Sequence, residues 1–357
     1  MFLFGDRGTP DGFRRMHGFS SHTYKFVNSA GQSFWTKLHY RARAGEKNLS
    51  AAEAARLEGA DPDYATRDLF DHIAAGKTAE WDVEAQFIPL ADGEKYKFNI
   101  FDLTKTVSQK DYPRVRIGKM VLNRNPQNYF AEVEQVGGGP RGAGAVAVGE
   151  GASPAVAVRC PAPLLIFFLC CVLCPLPHWQ AAFAPAHLVP GIEPSPDRML
   201  QARLFSYTDT HRHRLGANYL QIPINCPYAS RVTNHQRDGA MAVNGNGGAA
   251  PNYAPNTRPK NISNPAEVPA AAIAPFAVSG RAGRFAHDHP NSDYEQPGEF
   301  FRRVLDAPAR RRLVDNICGS LSGARKEVQQ RMLAVFTSVD PEFGRMAAET
   351  LATKANL

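Results

Sequence analysis

The run Arg203-Leu204-Phe205-Ser206-Tyr207-Thr208-Asp209-Thr210-His211-Arg212-His213-Arg214 constrains this chain more than any other stretch. Read as a helix, it places Arg203, Tyr207, His211 and Arg214 at i, i+4, i+8 and i+11. At 3.6 residues per turn those offsets return to within about 80° of one another, so a flat ligand lying along this face would meet all four. A tyrosine ligates metal only as phenolate, and its ordinary pKa near 10 has to be pulled down by the metal and by a neighbouring cation. Arg203, one turn before Tyr207, can supply that cation. For an arbitrary row of this kind the alternative is a solvated helix face, and the identity of the whole run decides against it.

The run continues through Leu215-Gly216 and resembles the proximal haem-ligand helix of the monofunctional haem catalases. Four further blocks, in order, are similar to that family: Phe4-Gly5-Asp6-Arg7-Gly8-Thr9-Pro10-Asp11-Gly12, Leu122-Asn123-Arg124-Asn125-Pro126, Asn128-Tyr129-Phe130-Ala131-Glu132-Val133-Glu134-Gln135 and Pro190-Gly191-Ile192-Glu193-Pro194-Ser195-Pro196-Asp197. The resemblance implies that Tyr207 is the axial ligand of the iron in haem b, the role the family gives a tyrosine. It implies that Arg203 stabilises the phenolate and that a hydrogen-bonded relay runs from Arg203 through Asp197 to His22. Phe183, Met199, His211 and Arg214 fall among the haem-contacting positions, with Arg214 and His211 toward the haem edge, where a guanidinium can pair with a propionate. Without the resemblance Asp197 is equally a plain N-terminal cap for the helix that follows.

A chain of 357 residues can bury one large core and a satellite domain. The net charge of +7 is spread among acidic residues along the chain and predicts a mildly basic surface, not a nucleic-acid site. Even Arg310-Arg311-Arg312 falls in an amphipathic segment, where Leu313, Val314, Ile317 and Leu321 are spaced to face a core. Only Cys226 and Cys318 lie outside the block 136–180, so no disulfide framework is indicated.

The expected fold class is α+β: the haem catalase fold, an antiparallel eight-stranded β-barrel of which this chain holds the second half, with a wrapping segment and a C-terminal helical domain. Period-2 alternation puts Phe34, Thr36, Leu38 and Tyr40 on one side of a strand and Trp35, Lys37 and His39 on the other. Asn28-Ser29-Ala30-Gly31-Gln32 turns that strand back from Tyr24-Lys25-Phe26-Val27 as a hairpin. A helical stretch from Ser50 to Ala75 opens with a Ser50/Glu53 capping box and is broken by Asp61-Pro62-Asp63. Glu80 to Leu90 and Arg114 to Leu122 read as two more strands. The expected division is 1–135 for the half-barrel with interspersed helices, 136–180 for an insert foreign to the family, 181–292 for the wrapping segment with the proximal helix at about 197–215, and 293–357 for the helical domain.

Two departures from the family bear on function. Met1 corresponds to a point past the family's distal histidine and distal asparagine, so neither has a counterpart among these residues. The insert 136–180 interrupts a join between Gln135 and Ala181 that otherwise reads through smoothly. Its apolar run from Ala162 to Pro177 is shorter than the roughly 18 residues of a membrane span and ends in prolines, and no membrane is expected. Cys171-Val172-Leu173-Cys174 lacks a second cysteine pair at zinc-site spacing. Valine-glycine at its start, glutamine at its end and a pyrimidine-codon run before that end describe a retained intron translated in frame.

The reading is therefore a haem-dependent catalase that disproportionates hydrogen peroxide to water and dioxygen and protects against oxidative stress, with these residues by themselves inactive. Alternatives are an incomplete haem-binding scaffold without turnover and a catalase-fold enzyme of fatty-acid hydroperoxides. By resemblance the whole protein is a homotetramer. NADPH has weak support: Arg7 is kept and Arg41 replaces a lysine, but His17, Val107 and Gln109 stand where the family's nucleotide site has asparagine, tryptophan and histidine. Lys354-Ala355-Asn356-Leu357 resembles a peroxisomal C-terminal address, which implies an import receptor as partner and the peroxisome as location, with the cytoplasm as alternative.

Overall fold

In the hairpin that organises the sheet, β2 (Tyr24–Val27) pairs antiparallel with β3 (Ser33–Ala42) in the register Tyr24↔Thr36 and Phe26↔Phe34. The turn closes because the Asn28 side-chain oxygen accepts from the backbone N–H groups of Ala30 and Gln32, at 3.0 and 2.9 Å, while Gly31 takes a positive φ of 77°. A short β1 (Gly18–Phe19) also pairs with β3. The computed structural model describes residues 1–137, 191–225 and 292–355, with short pieces at 184–186, 188 and 238–242 and single positions at 251, 253, 255, 257 and 283. The insert from residue 138 onward and Phe183 therefore lie outside the described residues.

Between β3 and the next strand the chain forms two helices, α1 (Ala51–Ala60) and α2 (Tyr64–Ala74). The capping box at the start of α1 is complete: Glu53 N donates to Ser50 Oγ at 3.2 Å, and Ser50 N donates to Glu53 Oε2 at 3.0 Å. Asp61-Pro62-Asp63 separates the helices, as its turn chemistry predicts. β4 (Ala79–Pro89) then pairs with β3 along its length, and β5 (Val115–Leu122) pairs with β4 across a bulge at Val83/Glu84. Further along the chain, β6 (Ile192–Pro194) joins β2 in the register Tyr24↔Pro194, completing a six-stranded antiparallel sheet, with five strands in the order β5-β4-β3-β2-β6 and β1 paired to β3 off that path.

The strict alternation expected for β3 holds for direction, yet both faces are covered. One face carries Leu38 and Tyr40 into a core with Tyr24, Phe26, Trp81, Val83, Met120 and Ile192. The other carries Trp35 into a second cluster with Ile88 of β4 and with Phe98, Ile100 and Val107, supplied by the segment between β4 and β5. Burying an aliphatic or aromatic side chain of this size contributes about 1.5–3 kcal/mol, so covering the second face is itself a large stabilisation.

β6 hands the chain directly to α3 (Arg198–Leu215), whose Leu200 is fully buried in the first core, with Leu204 packed one turn on. The C-terminal helices are α4 (Ala307–Leu321), α5 (Lys326–Val339) and α6 (Pro341–Ala355). Their core holds Leu313, Val314, Cys318, Phe336, Phe343 and Ala347, with Ile317 and Leu321 packed against it, which is the stripe read from the sequence. Bidentate bonds from Arg312 to Asp6, at 2.8 and 2.6 Å, tie these helices to the start of the chain. The Lys105–Asp293 pair at 2.5 Å ties the stretch that leads into them to the segment over the sheet. The class is α+β, as expected. No helix among the described residues is long and apolar enough to cross a membrane.

Candidate functional site

Pairing of β6 with β2 brings Asp197 beside His22, because each residue lies just beyond the end of one of the two paired strands. Asp197 caps α3: its Oδ1 accepts from Met199 N at 2.9 Å and from Leu200 N at 3.2 Å, satisfying N–H groups that the first turn of a helix leaves open. Its second oxygen, Oδ2, meets His22 Nδ1 at 2.5 Å. Asp197 thus caps the helix with one oxygen and meets His22 with the other.

His22 is 1% exposed and Asp197 3% exposed. Burial is the largest influence on His22 and lowers its pKa, outweighing the pull of Asp197 toward protonation. A neutral imidazole has one N–H and one lone pair. With Asp197 accepting at Nδ1, the proton sits there and the Nε2 lone pair points away, where Arg203 Nη1 donates to it. The relay therefore runs from Arg203 through His22 to Asp197, not from Arg203 through Asp197 to His22 as the resemblance implied, because Asp197 gives Oδ1 to the start of the helix and turns Oδ2 to the imidazole.

Arg203 is half-buried, and its guanidinium carbon lies 5.3 Å from the centre of the Tyr207 ring one turn along α3. A cation at that distance is attracted to the electron-rich face of the ring. Tyr207 is itself half-buried. Met199, four residues before Arg203 on the same stripe, is 57% exposed and open to a ligand lying along the helix.

The rest of the expected row behaves differently. His211 is fully buried, its ring 6.3 Å from that of Tyr207 and 5.5 Å from that of Tyr219, which folds back over it after the helix ends. Arg214 is exposed, but its guanidinium donates to the carbonyl oxygens of Glu134 and Val136, the latter at 2.9 Å, and lies 3.3 Å from His211 Nδ1. Four residues that share a helix face by periodicity are thus split between an accessible pair and a pair taken up by neighbouring chain. Helical periodicity carries no information about what folds over the last two turns.

Residues at the nucleotide-related positions converge on one carboxylate. His17 Nε2 lies 2.8 Å from Glu46 Oε1, and Arg7 Nε lies 3.5 Å from Glu46 Oε2. Val107 is buried in the second core. This set lends a nucleotide no support: Arg7 faces a carboxylate, burial lowers the His17 pKa, and Val107 has no polar side-chain atom to offer. Sequence reasoning missed Tyr24, a buried phenol of β2 whose pKa is pushed up to about 12 by burial although Arg203 opposes that shift. Only its pairing opposite β6 would have placed it near the relay.

Among the described residues no group of three His, Cys, Asp or Glu side chains could hold a metal ion. Tyr207, with the Arg203 guanidinium against its ring and the exposed Met199 thioether on the same helix, is a side chain that could ligate the metal of a cofactor. A family model described as Catalase matches residues 1–145 and 178–260, and a second, described as Catalase-related immune-responsive, matches residues 287–351. The chain is 47% identical to Catalase-A of Dictyostelium discoideum over 99% of its own length and 62% of that protein's, and 45% identical to the Peroxisomal catalase of Toxoplasma gondii over 98% and 61%. The crystal structure of a fungal catalase superimposes with a TM-score of 0.80 at 36% identity, covering 99% of this chain and 61% of that one. Catalase A from Saccharomyces cerevisiae gives 0.79 at 36% identity, covering 98% and 63%. The chain spans about three-fifths of the length of the relatives it matches, and it belongs to the catalase family.

Proposed function

We propose that this chain is the haem-binding part of a catalase, a protein that takes haem b on Tyr207 and, as a whole, converts hydrogen peroxide to water and dioxygen. The observation that carries the reading is the contact of Arg203 with Tyr207, backed by the buried bonds of Arg203 to His22 and of His22 to Asp197. When bound, the haem supplies an iron that exchanges electrons with peroxide. The residues of this chain supply the rest: Tyr207 offers its phenolate oxygen, and Arg203 keeps that oxygen ionised. His22 holds the guanidinium in place through Nε2, and Asp197 fixes the proton on His22 Nδ1. His211 and Arg214 stand at the far end of the helix, where a carboxylate at the ligand's edge would compete with the Glu134 and Val136 carbonyls for Arg214.

On their own, these 357 residues are proposed to hold haem but to turn over slowly, since the family's distal base has no counterpart among them and general acid–base assistance is worth about 10²- to 10⁴-fold. The block 136–180 is proposed to be a translated intron. The interruption of the family match between residues 145 and 178 supports that reading. A homotetramer, and import into peroxisomes through the C-terminus, are proposed on the family and on the relative named for that organelle. Lys354 of the terminal address is exposed in the last turn of α6, while Asn356 and Leu357 lie outside the described residues.

Titrating the chain with ferric haem b tests the binding reading. Saturation at one haem per chain with a tyrosinate-type visible spectrum is expected. A spectrum of free haem throughout the titration would overturn it.

A further inference from the structure

Lys37 is a cation in the interior. It lies at the middle of β3, on the face that also carries Trp35 and His39, and is 8% exposed. Its Nζ donates to the carbonyl oxygen of Ser21 at 3.0 Å. Burial lowers its pKa to about 8 against the attraction of Asp197 and Asp102, so the site is a demanding place for an ammonium group.

Ser21 has a φ of +46°, and among the described residues only one other non-glycine residue, Met241, is in this region. The left-handed region crowds a Cβ against the following carbonyl, so a serine stays there only when its surroundings hold it. The surroundings are identifiable. On one side Ser20 Oγ donates to His22 O at 2.8 Å and accepts from Leu38 N at 3.0 Å. On the other, Lys37, the neighbour of Leu38, holds the Ser21 carbonyl. Two adjacent residues of β3 therefore grip the turn that ends in His22.

We propose that Lys37 is a positioning residue for the His22 relay: its ammonium holds the Ser21 carbonyl in the left-handed turn, and that turn aims the His22 imidazole at Asp197 and Arg203. Let the turn relax to an ordinary backbone region and the direction of the His22 side chain rotates with it, which a 2.5 Å contact to Asp197 does not survive. The charge acts in the same sense. Near His22 a cation disfavours a second ring proton, leaving Nε2 free to accept from Arg203. The functional meaning of this clamp rests on the haem reading, while the geometry belongs to the chain's own residues and is measurable without haem.

The test uses the full chain labelled with ¹⁵N at histidine, without added haem. In the unsubstituted chain His22 is expected to give a strongly downfield proton on Nδ1, assigned by its absence in His22→Gln. Lys37→Met is expected to lose that resonance. Ser21→Gly supplies a residue that adopts the turn unaided, so Lys37→Met combined with Ser21→Gly is expected to recover it. A Lys37→Met chain that fails to fold alone but folds with the resonance restored in the double variant supports the clamp equally. An unchanged resonance in Lys37→Met, or equal loss of the resonance or of folding in the single and double variants, would overturn it. Failure of the haem reading would appear separately, as a haem spectrum indifferent to Tyr207→Phe, and leaves the His22 resonance to decide the role of Lys37.

Discussion

His22 Nδ1 stands 2.5 Å from Asp197 Oδ2, a buried contact between residues 175 apart in the chain. One carboxylate thereby starts a helix with Oδ1 and fixes a histidine tautomer with Oδ2. The arrangement couples the position of α3 to the protonation of the residue behind Arg203, and it separates the consequences of two substitutions at Asp197.

Asp197→Ala removes both functions. Losing the cap costs about 1 kcal/mol, and stranding the buried Nδ1–H of His22 adds about 1–3 kcal/mol, so urea unfolding should shift by the sum. Asp197→Asn retains an oxygen for Met199 N and Leu200 N but turns an amide toward His22, which moves the ring proton to Nε2 and sets it against Arg203. The asparagine variant should keep most of the stability yet lose the tyrosinate character of added haem. Equal effects of the two substitutions on both readouts would contradict the division of labour.

Acid should weaken the fold before the carboxylates titrate. His39 hydrogen-bonds Gln86 at 2.8 Å, and burial lowers its pKa from 6.5 to about 4. Between those values the unfolded chain binds a proton that the native chain does not. The stability is therefore complete above about pH 6.5 and is lost as pH falls toward 4, at about 1.4 kcal/mol per pH unit for one such proton. His22, also lowered, acts in the same direction. The urea midpoint should fall between pH 7 and pH 5, and His39→Gln should flatten that slope. A midpoint that is constant or rises on acidification would refute the assignment.

Strands, capping box and the helical stripe of α4 were legible in the sequence because each is a local pattern. Tyr24 against Thr36, Ser50 against Glu53, and Leu313 with Val314 and Ile317 are all set by spacing within a few residues of a turn or cap. The family's motifs brought Arg203, Asp197 and His22 together, and the structure joins them by hydrogen bonds. His211 and Arg214 departed from the helix-face reading because Tyr219 and the carbonyls of Glu134 and Val136 come from other parts of the chain. Lys37 was read only as a residue of one strand face, since nothing in a sequence marks a left-handed serine whose carbonyl needs a cation.

Helix packing offers a check independent of the site. A Cβ on Gly344 of α6 would collide with Thr337 Oγ1 and lie 2.8 Å from Thr337 Cα on α5, and the second atom is backbone that cannot rotate aside. Gly344→Ala should force α5 and α6 apart and cost about 1–3 kcal/mol. Thermal unfolding unchanged by the substitution would mean that the two helices do not cross this closely.

If the block 136–180 is a translated intron, genomic DNA should carry GT at its first nucleotides and AG at its last, and most transcripts should join Gln135 to Ala181 directly. Peptides from within the block, recovered in quantity from the purified natural protein, would contradict the idea.

The central claim is that Tyr207, held ionised by Arg203, is the residue that takes the haem iron, and Tyr207→Phe tests it with the loss of a single oxygen atom. Phenylalanine keeps the ring and its packing at 5.3 Å from Arg203, so folding should be unaffected while haem retained through gel filtration falls about tenfold or more and the tyrosinate spectrum disappears. Undiminished haem content with an unchanged Soret band in that variant would contradict the account.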